Sequence, residues 1–149
     1  MKYLFIDGNN LIGKTNDLKN LQTEEKQTTR EKLVYKLQKG LQNSKLKTTL
    51  FFDGFPGTAI RSGKLKIIYS YEKTADDVIK YSIEQHKNPK LIILVTSDLN
   101  LREFGKVCSC ELKTSEQFAG EIFTDNSPGE ESEKIKSIDI NDIKKMFGV

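Results

Sequence analysis

The chain has 149 residues, 36% hydrophobic and 30% charged, the size of one ordinary domain with a real core and a generous polar surface. Its longest apolar runs, YLFI, LFF and LIILV, are strand-sized and far too short to cross a membrane, and the opening MKYLFIDGNN lacks the longer apolar stretch and cleavage site of a secretory signal, so a cytoplasmic chain is expected. A net charge of +3 and a pI of about 8.7 permit an anionic partner without demanding one.

In chain order, KYLFI predicts a buried strand followed by a loop. TEEKQTTREKLVYKLQKGLQNS carries Leu33, Leu37 and Leu41 at helical spacing, with Val34 beside them. KTTLFF is a second strand, ended by DGFPG, where Gly and Pro signal a turn. The basic stretch AIRSGKLK leads into a third strand, KLKIIYSY. TADDVIKYSIEQH is a helix whose Val78, Ile79 and Ile83 can face a sheet. LIILV shows no alternation, as expected for a central parallel strand covered on both faces. DLNLREFGK starts another helix, VCSCEL is a short strand, and TSEQFAGEIF is a helix. An acidic, solvated loop is expected over about residues 121–134, and a closing helix over about 139–147, capped by Asp139 or Asn141.

Cys108 and Cys110 are the only cysteines. Neighbours this close on an alternating strand do not suit a disulfide, and a single His does not complete a zinc site with them. Reduced, structural thiols are expected. His86 follows a helical pattern and belongs on the surface or half-buried.

No repeat or linker divides the chain, so residues 1–149 read as one domain. Strands separated by helices imply βαβ crossovers, and hence an α/β fold with a mainly parallel sheet and helices on both faces. In such sheets the functional crevice lies beyond the carboxyl ends of the strands. Asp7 ends the first strand, Asp53 the second and Asp98 the fourth, while Asp76 and Asp77 open the helix after the third. Four strands thus deliver carboxylates to one edge.

Each acid also has a local explanation. Asp7 and Asp53 precede Gly, a common turn pair. Asp98 suits an N-cap. Thr74 and Asp77 have capping-box spacing, which leaves Asp76 free to point towards the crevice. Collectively the acids pose an electrostatic problem. Two bare carboxylates about 5 Å apart repel by roughly 3 kcal/mol at an effective dielectric near 20. Arg102 and Lys73 can neutralise one or two; a divalent cation neutralises the set. All-oxygen ligands favour a hard ion, Mg²⁺ or Mn²⁺. Such an ion acidifies a bound water and compensates charge on phosphate oxygens, which suits phosphodiester hydrolysis without a side-chain nucleophile. Asn10, Thr96 and Ser97 flank the acids and can orient waters or phosphate oxygens. Arg61, Lys64 and Lys66, on a basic loop leaving the second strand at the acidic edge, are phosphate-contact candidates with Lys14 and Arg102. Phe55 can stack on a base.

These residues carry a family resemblance. YLFIDGNNLIG, LFFDG, YEKTADDVI, LVTSDLNLREF and KTSEQF occur in the order found in the YacP-like NYN domains of the PIN-like ribonuclease superfamily. The resemblance runs from about Lys2 to Phe118. It implies a Rossmann-like PIN fold, with a central parallel sheet of about five strands, and Mg²⁺- or Mn²⁺-dependent cleavage of single-stranded RNA. The family's acidic positions fall on Asp7, Asp76 and Asp98, with Asp77 close by and Asp53 auxiliary. Some relatives look like ribosome-associated mRNA endonucleases, which makes the ribosome an implied partner. The chain departs from the family in its short stretches before KLKII and at the C-terminus, and in Asn9, where the family usually has Tyr.

Two other readings compete. A receiver-like phosphorylation switch also uses an Asp ending a middle strand, here Asp53, with Thr96 or Ser97 nearby. It needs an acidic pair after the first strand, where this chain has DGN, and a Lys ending the last strand, where Lys113 falls late. A catalytically silent RNA- or ribosome-binding domain is the other. A pure binder of polyanions has no use for so many acids in its groove.

Overall fold

The structure, a computed structural model, describes residues 1–20 and 25–123. Five strands form one sheet in the order β3-β2-β1-β4-β5. They are β1 (Tyr3–Asp7), β2 (Lys47–Phe52), β3 (Leu65–Tyr69), β4 (Ile92–Val95) and β5 (Glu111–Lys113), and every pairing is parallel. The helices are α1 (Gly8–Gly13), α2 (Asn16–Lys19), α3 (Lys26–Gly40), α4 (Ala75–Gln85), α5 (Leu99–Val107) and α6 (Ser115–Ile122), with a 3₁₀ turn at Pro89–Leu91.

Strand alternation sends successive side chains to opposite faces, and the apolar runs use both. Leu4, Ile6, Leu50, Phe52, Ile93 and Val95 join a core completed by Leu11, Ile12, Leu18, Leu33, Leu37, Phe118 and Ile122, from α1, α2, α3 and α6. Phe5, Phe51, Ile92 and Leu94 face the other way and pack with Ala75, Ile79, Ile83 and Leu101 of α4 and α5. Helices therefore cover both faces, and β4 is buried along its whole length.

Local chemistry departs from the sequence reading at several points. The residues after β1 are helical at once, where a loop is expected: Asp7 caps α1, its carboxylate accepting from the Asn10 N–H at 3.4 Å. Gly8 permits the close approach to β2, because a Cβ there would stand 2.6 Å from the Phe51 carbonyl oxygen. The cysteines lie outside any strand. Cys108 ends α5, Ser109 turns through φ 72°, and β5 begins only at Glu111. Both thiols are free, and burial, aided by Cys108, pushes the Cys110 thiol up to about 11. Glu121 and Ile122 finish α6 rather than opening the acidic loop; the rest of that loop and the closing helix lie outside the described residues.

The strand order also decides against the receiver reading. Receivers follow the flavodoxin-like order 2-1-3-4-5, whereas here the chain runs outward from β1 to β3 before returning to β4. Lys113 is buried and ion-paired with Glu121 at 3.0 Å. Among the described residues no helix is long and apolar enough to cross a membrane.

Candidate active site at the β1–β4 switch point

The order 3-2-1-4-5 reverses between β1 and β4, and a crevice opens beyond the carboxyl ends of strands at such a point. Asp7 ends β1 there, 9% exposed. One oxygen caps α1, and the other accepts from the Thr96 hydroxyl, just past β4, at 3.0 Å. Burial pushes its carboxyl up to about 6; the Thr96 and Asn10 bonds oppose the shift, and the fields of Asp53 and Asp76 add to it. The fields of an acid just past β2 and one in α4 thus reach Asp7, although the three lie up to 69 positions apart in sequence, from Asp7 to Asp76.

Asp53, exposed at the end of β2, accepts from the Ala75 N–H at 2.6 Å. That bond anchors the first turn of α4 and so places Asp76. Asp53 itself is held from both sides. Its N–H donates to the Asn9 side chain at 2.8 Å, and Arg30 of α3 donates to its carbonyl. Arg30 is a buried residue that sequence reasoning passed over as part of a basic helix. It also donates to the Phe55 carbonyl at 2.9 Å and lies 5.0 Å over the Phe52 ring. Burial draws its pKa down, while Tyr69 and Asp53 hold it up.

Asp76 is half-buried and pairs with Lys80, one turn on, at 3.3 Å. Asp77 is exposed, and its N–H donates to the Thr74 hydroxyl at 3.0 Å, the cap that its spacing predicts. Asp98 is exposed and caps α5 by accepting from the Leu101 N–H at 2.9 Å. The fields of Asp53 and Asp76 thus reach Asp7, while Asp98 caps a helix and Asp77 lies in the first turn of α4.

Asn10 is a positioning hub. Its side-chain oxygen accepts from the Ser97 N–H at 2.9 Å and from the Ser115 hydroxyl at 2.7 Å, tying α1 to the segment after β4 and to α6. The Ser97 hydroxyl donates to Glu116, and the Ser115 N–H donates to the Ser97 hydroxyl at 2.9 Å. Glu116 is held below the usual carboxylate range by the Ser97 bond first, then by its own backbone N–H, with Lys14, 3.8 Å away, adding less. Glu116 was missed; it falls in the motif KTSEQF, where the helix-starting pattern masked it as a first-turn acid.

The basic candidates fare differently. Lys14 is engaged with Glu116. Arg102 donates to the Thr96 carbonyl at 3.1 Å, which places it beside the crevice in a structural role. Arg61, Lys64 and Lys66 stand away from the acids. Parallel pairing of β2 with β3 forces the connection to return to the opposite edge of the sheet before β3 begins. Lys64 there donates to the Ser44 carbonyl, and the length of β3, about 13 Å at 3.3 Å per residue, separates it from the acidic edge. The loop leaves at the crevice, but its lysines do not remain there. Phe55 stays, exposed, beside Asp53 and against Tyr71.

PIN-like NYN nucleases are generally dependent on a divalent metal. Among the described residues no three Asp, Glu, His or Cys side chains are set as a ready-made ion cage. Mg²⁺ does not require one, since it keeps several waters and is commonly held by one or two carboxylates together with substrate phosphates. Asp7 at the switch point, within the fields of Asp53 and Asp76, is a carboxylate of that kind. The elevated Asp7 carboxyl is the mark of negative charge crowded in a dry place, which a cation relieves. The residues fit a hard dication.

The fold is shared with solved structures. Two crystal structures of Rae1 (YacP) from Bacillus subtilis resemble the chain, both at 21% identity. One has a TM-score of 0.72, with 97% of this chain and 83% of that chain covered. The other, a W164L mutant, has a TM-score of 0.69 with 99% and 85% covered. No curated protein matches. The YacP-like NYN domain family matches over residues 4–146. From β1 with its Asp7 to the far end of the sheet, the chain belongs to the YacP-like NYN domain family, a group of nuclease-type domains.

Proposed function

We propose that the protein is a Mg²⁺- or Mn²⁺-dependent endoribonuclease that cleaves single-stranded RNA in the cytoplasm. The observation that supports this reading is the buried Asp7 carboxylate at the switch point, raised to about 6 chiefly by burial, with the fields of Asp53 and Asp76 adding to the shift. A hard dication, when bound, supplies an acidified water and charge compensation at the phosphate. Asp7 and Asp76 are the residues to hold it, and Asp53 assists while keeping α4 in place. Thr96 and Asn10 orient the Asp7 carboxylate through the bonds described above. Ser97 and Glu116 form the adjoining wall, where they can accept hydrogen bonds from a ribose hydroxyl or a water. Asp98, at the start of α5, is the fourth acid of the proposed site, and Asp77 stands beside Asp76. Messenger RNA on the ribosome is the narrower substrate, supported by the family resemblance.

The test is incubation of pure protein with a mixed RNA pool, with and without Mn²⁺, followed by mapping of new ends. Internal cuts that stop in EDTA, return with Mn²⁺ and vanish in Asp7→Asn and Asp76→Asn are expected. Cutting that persists in EDTA would exclude the metal mechanism. One observation favours a second reading, a silent RNA-binding domain: Asp98 already employs an oxygen as a helix cap. Salt-sensitive RNA binding without any cleavage in Mn²⁺ would establish that reading instead.

A further inference from the structure

Two large rings stand exposed beside the acids. Phe55 is 59% and Tyr71 53% exposed, and they meet edge to face, with centroids 5.3 Å apart and planes at 83°. Phe55 follows β2 and Tyr71 follows β3, so both lie at the carboxyl edge of the sheet, within two residues of Asp53 and four of Ala75. Rings this exposed leave much of their apolar area in water, so folding alone gives weak reason to place them there.

The backbone beneath them is built and rigid. The Tyr71 N–H donates to the Gly54 carbonyl at 2.8 Å, and the Gly54 N–H donates to the Ser70 hydroxyl at 2.7 Å. The Ser70 hydroxyl in turn donates to the Lys73 carbonyl at 2.7 Å. Arg30 grips the carbonyls on both sides of Gly54, those of Asp53 and Phe55. Tyr71 has φ 59°, a left-handed conformation that is unusual for a bulky residue. Such outliers cluster where a ligand is held. A cation stands close by as well, since a Cβ on Gly54 would lie 3.9 Å from the Lys26 ammonium.

We propose that Phe55 and Tyr71 form a corner that seats one unpaired nucleobase of the RNA next to the bond being cut, with Lys26 at the adjacent phosphate; this rests on the nuclease reading above. Two perpendicular rings offer one face for stacking and one edge for lateral contact, which accommodates a single base. A duplex hides its base faces within its own stack, so the corner selects single strands. Stacking is tolerant of base identity because every base has a π face. The corner therefore dictates where the strand is gripped, not which sequence is read.

The experiment uses the full chain carrying Asp7→Asn, which removes cleavage, and a fluorescent single-stranded oligonucleotide followed by anisotropy. Phe55→Ala and Tyr71→Asn should each weaken binding by about 5- to 100-fold, whereas Phe55→Tyr and Tyr71→Phe should bind as the parent does. Asn tolerates the left-handed backbone, so Tyr71→Asn should melt with the parent. Moving one abasic position along the oligonucleotide should reveal a single site of loss with Phe55 and Tyr71 present, and none in the double variant. Equal affinity of all variants, or an abasic scan without a minimum, overturns the corner. Parallel cleavage assays of the same ring variants on the Asp7 chain separate the two claims. Cutting with unchanged KM in Phe55→Ala discards the corner and keeps the nuclease; no cutting by the unsubstituted protein discards the nuclease.

Discussion

Replacing Asp7 by Asn should make the protein more stable and inactive at once. Burial, with the fields of Asp53 and Asp76, raises the Asp7 carboxyl from 3.8 to about 6. Above both values the ionised group costs the folded state about 3 kcal/mol, from about two units at 1.36 kcal/mol each. The sign follows from proton binding. Between 3.8 and about 6 the folded chain holds the proton longer than the unfolded chain, so this group's contribution to stability falls as pH rises through that window. Asn keeps the shape and carries no charge, and its one oxygen can keep the cap on the Asn10 N–H while its NH2 donates to the Thr96 hydroxyl. Asp7→Asn should therefore raise stability by about 3 kcal/mol at pH 7.5 and by about half of that at pH 5, where part of the difference has already gone. For a chain of this length the first figure corresponds to a Tm rise of about 6–12 °C. Urea denaturation of both proteins at the two pH values, with and without Mg²⁺, measures it. Added Mg²⁺ should narrow the gap at pH 7.5 by stabilising only the Asp form. A variant that is less stable than the parent, or a gap that does not change between pH 5 and 7.5, would show that Asp7 is not held against its charge.

Asp98→Asn preserves the α5 cap and should leave the Tm unchanged, while Asp98→Ala should cost about 1 kcal/mol; if Asp98→Asn still cuts RNA at the parent rate, the residue is a cap and nothing more. Thr96→Val removes the bond that holds the Asp7 carboxyl down, so the acidic limb of the pH–rate profile should move to higher pH, and an unmoved limb would deny the coupling. Arg30→Met leaves the carbonyls of Asp53 and Phe55 without their donor and should cost about 2–4 kcal/mol in urea denaturation, with an unchanged midpoint counting against the clamp. Lys64→Glu and Lys66→Glu lie at the far edge and should leave RNA affinity intact, whereas Lys26→Glu should weaken it and flatten its salt dependence; equal losses in all three would place RNA across the sheet instead.

Much of the fold was legible because its signals are local. The short, unalternating, β-branched LIILV suits a strand covered twice, and the Leu33, Leu37 and Leu41 spacing needs one helix and no partner to be recognised. The rule that crevices open at strand ends then directed attention to Asp7, Asp53 and Asp98, and to Asp76 and Asp77 after the third strand. The misassigned pieces are those where a residue serves two purposes. Asp7 and Gly8 read as a turn pair, yet one caps a helix and the other admits β2 to it.

The sequence by itself determined the layer order, the edge at which carboxylates gather and the family, because periodicity, punctuation and motif order are written along the chain. Only the tertiary structure decided which acids share a field, that Arg30 secures the Asp53 turn, that Phe55 has Tyr71 for a neighbour, and that Lys64 and Lys66 stand a strand's length from the chemistry. Those are distances across the sheet. They depend on the parallel register of β2 with β3 and on the reversal between β1 and β4, and pairing of that kind leaves no local trace in the residues it brings together or keeps apart.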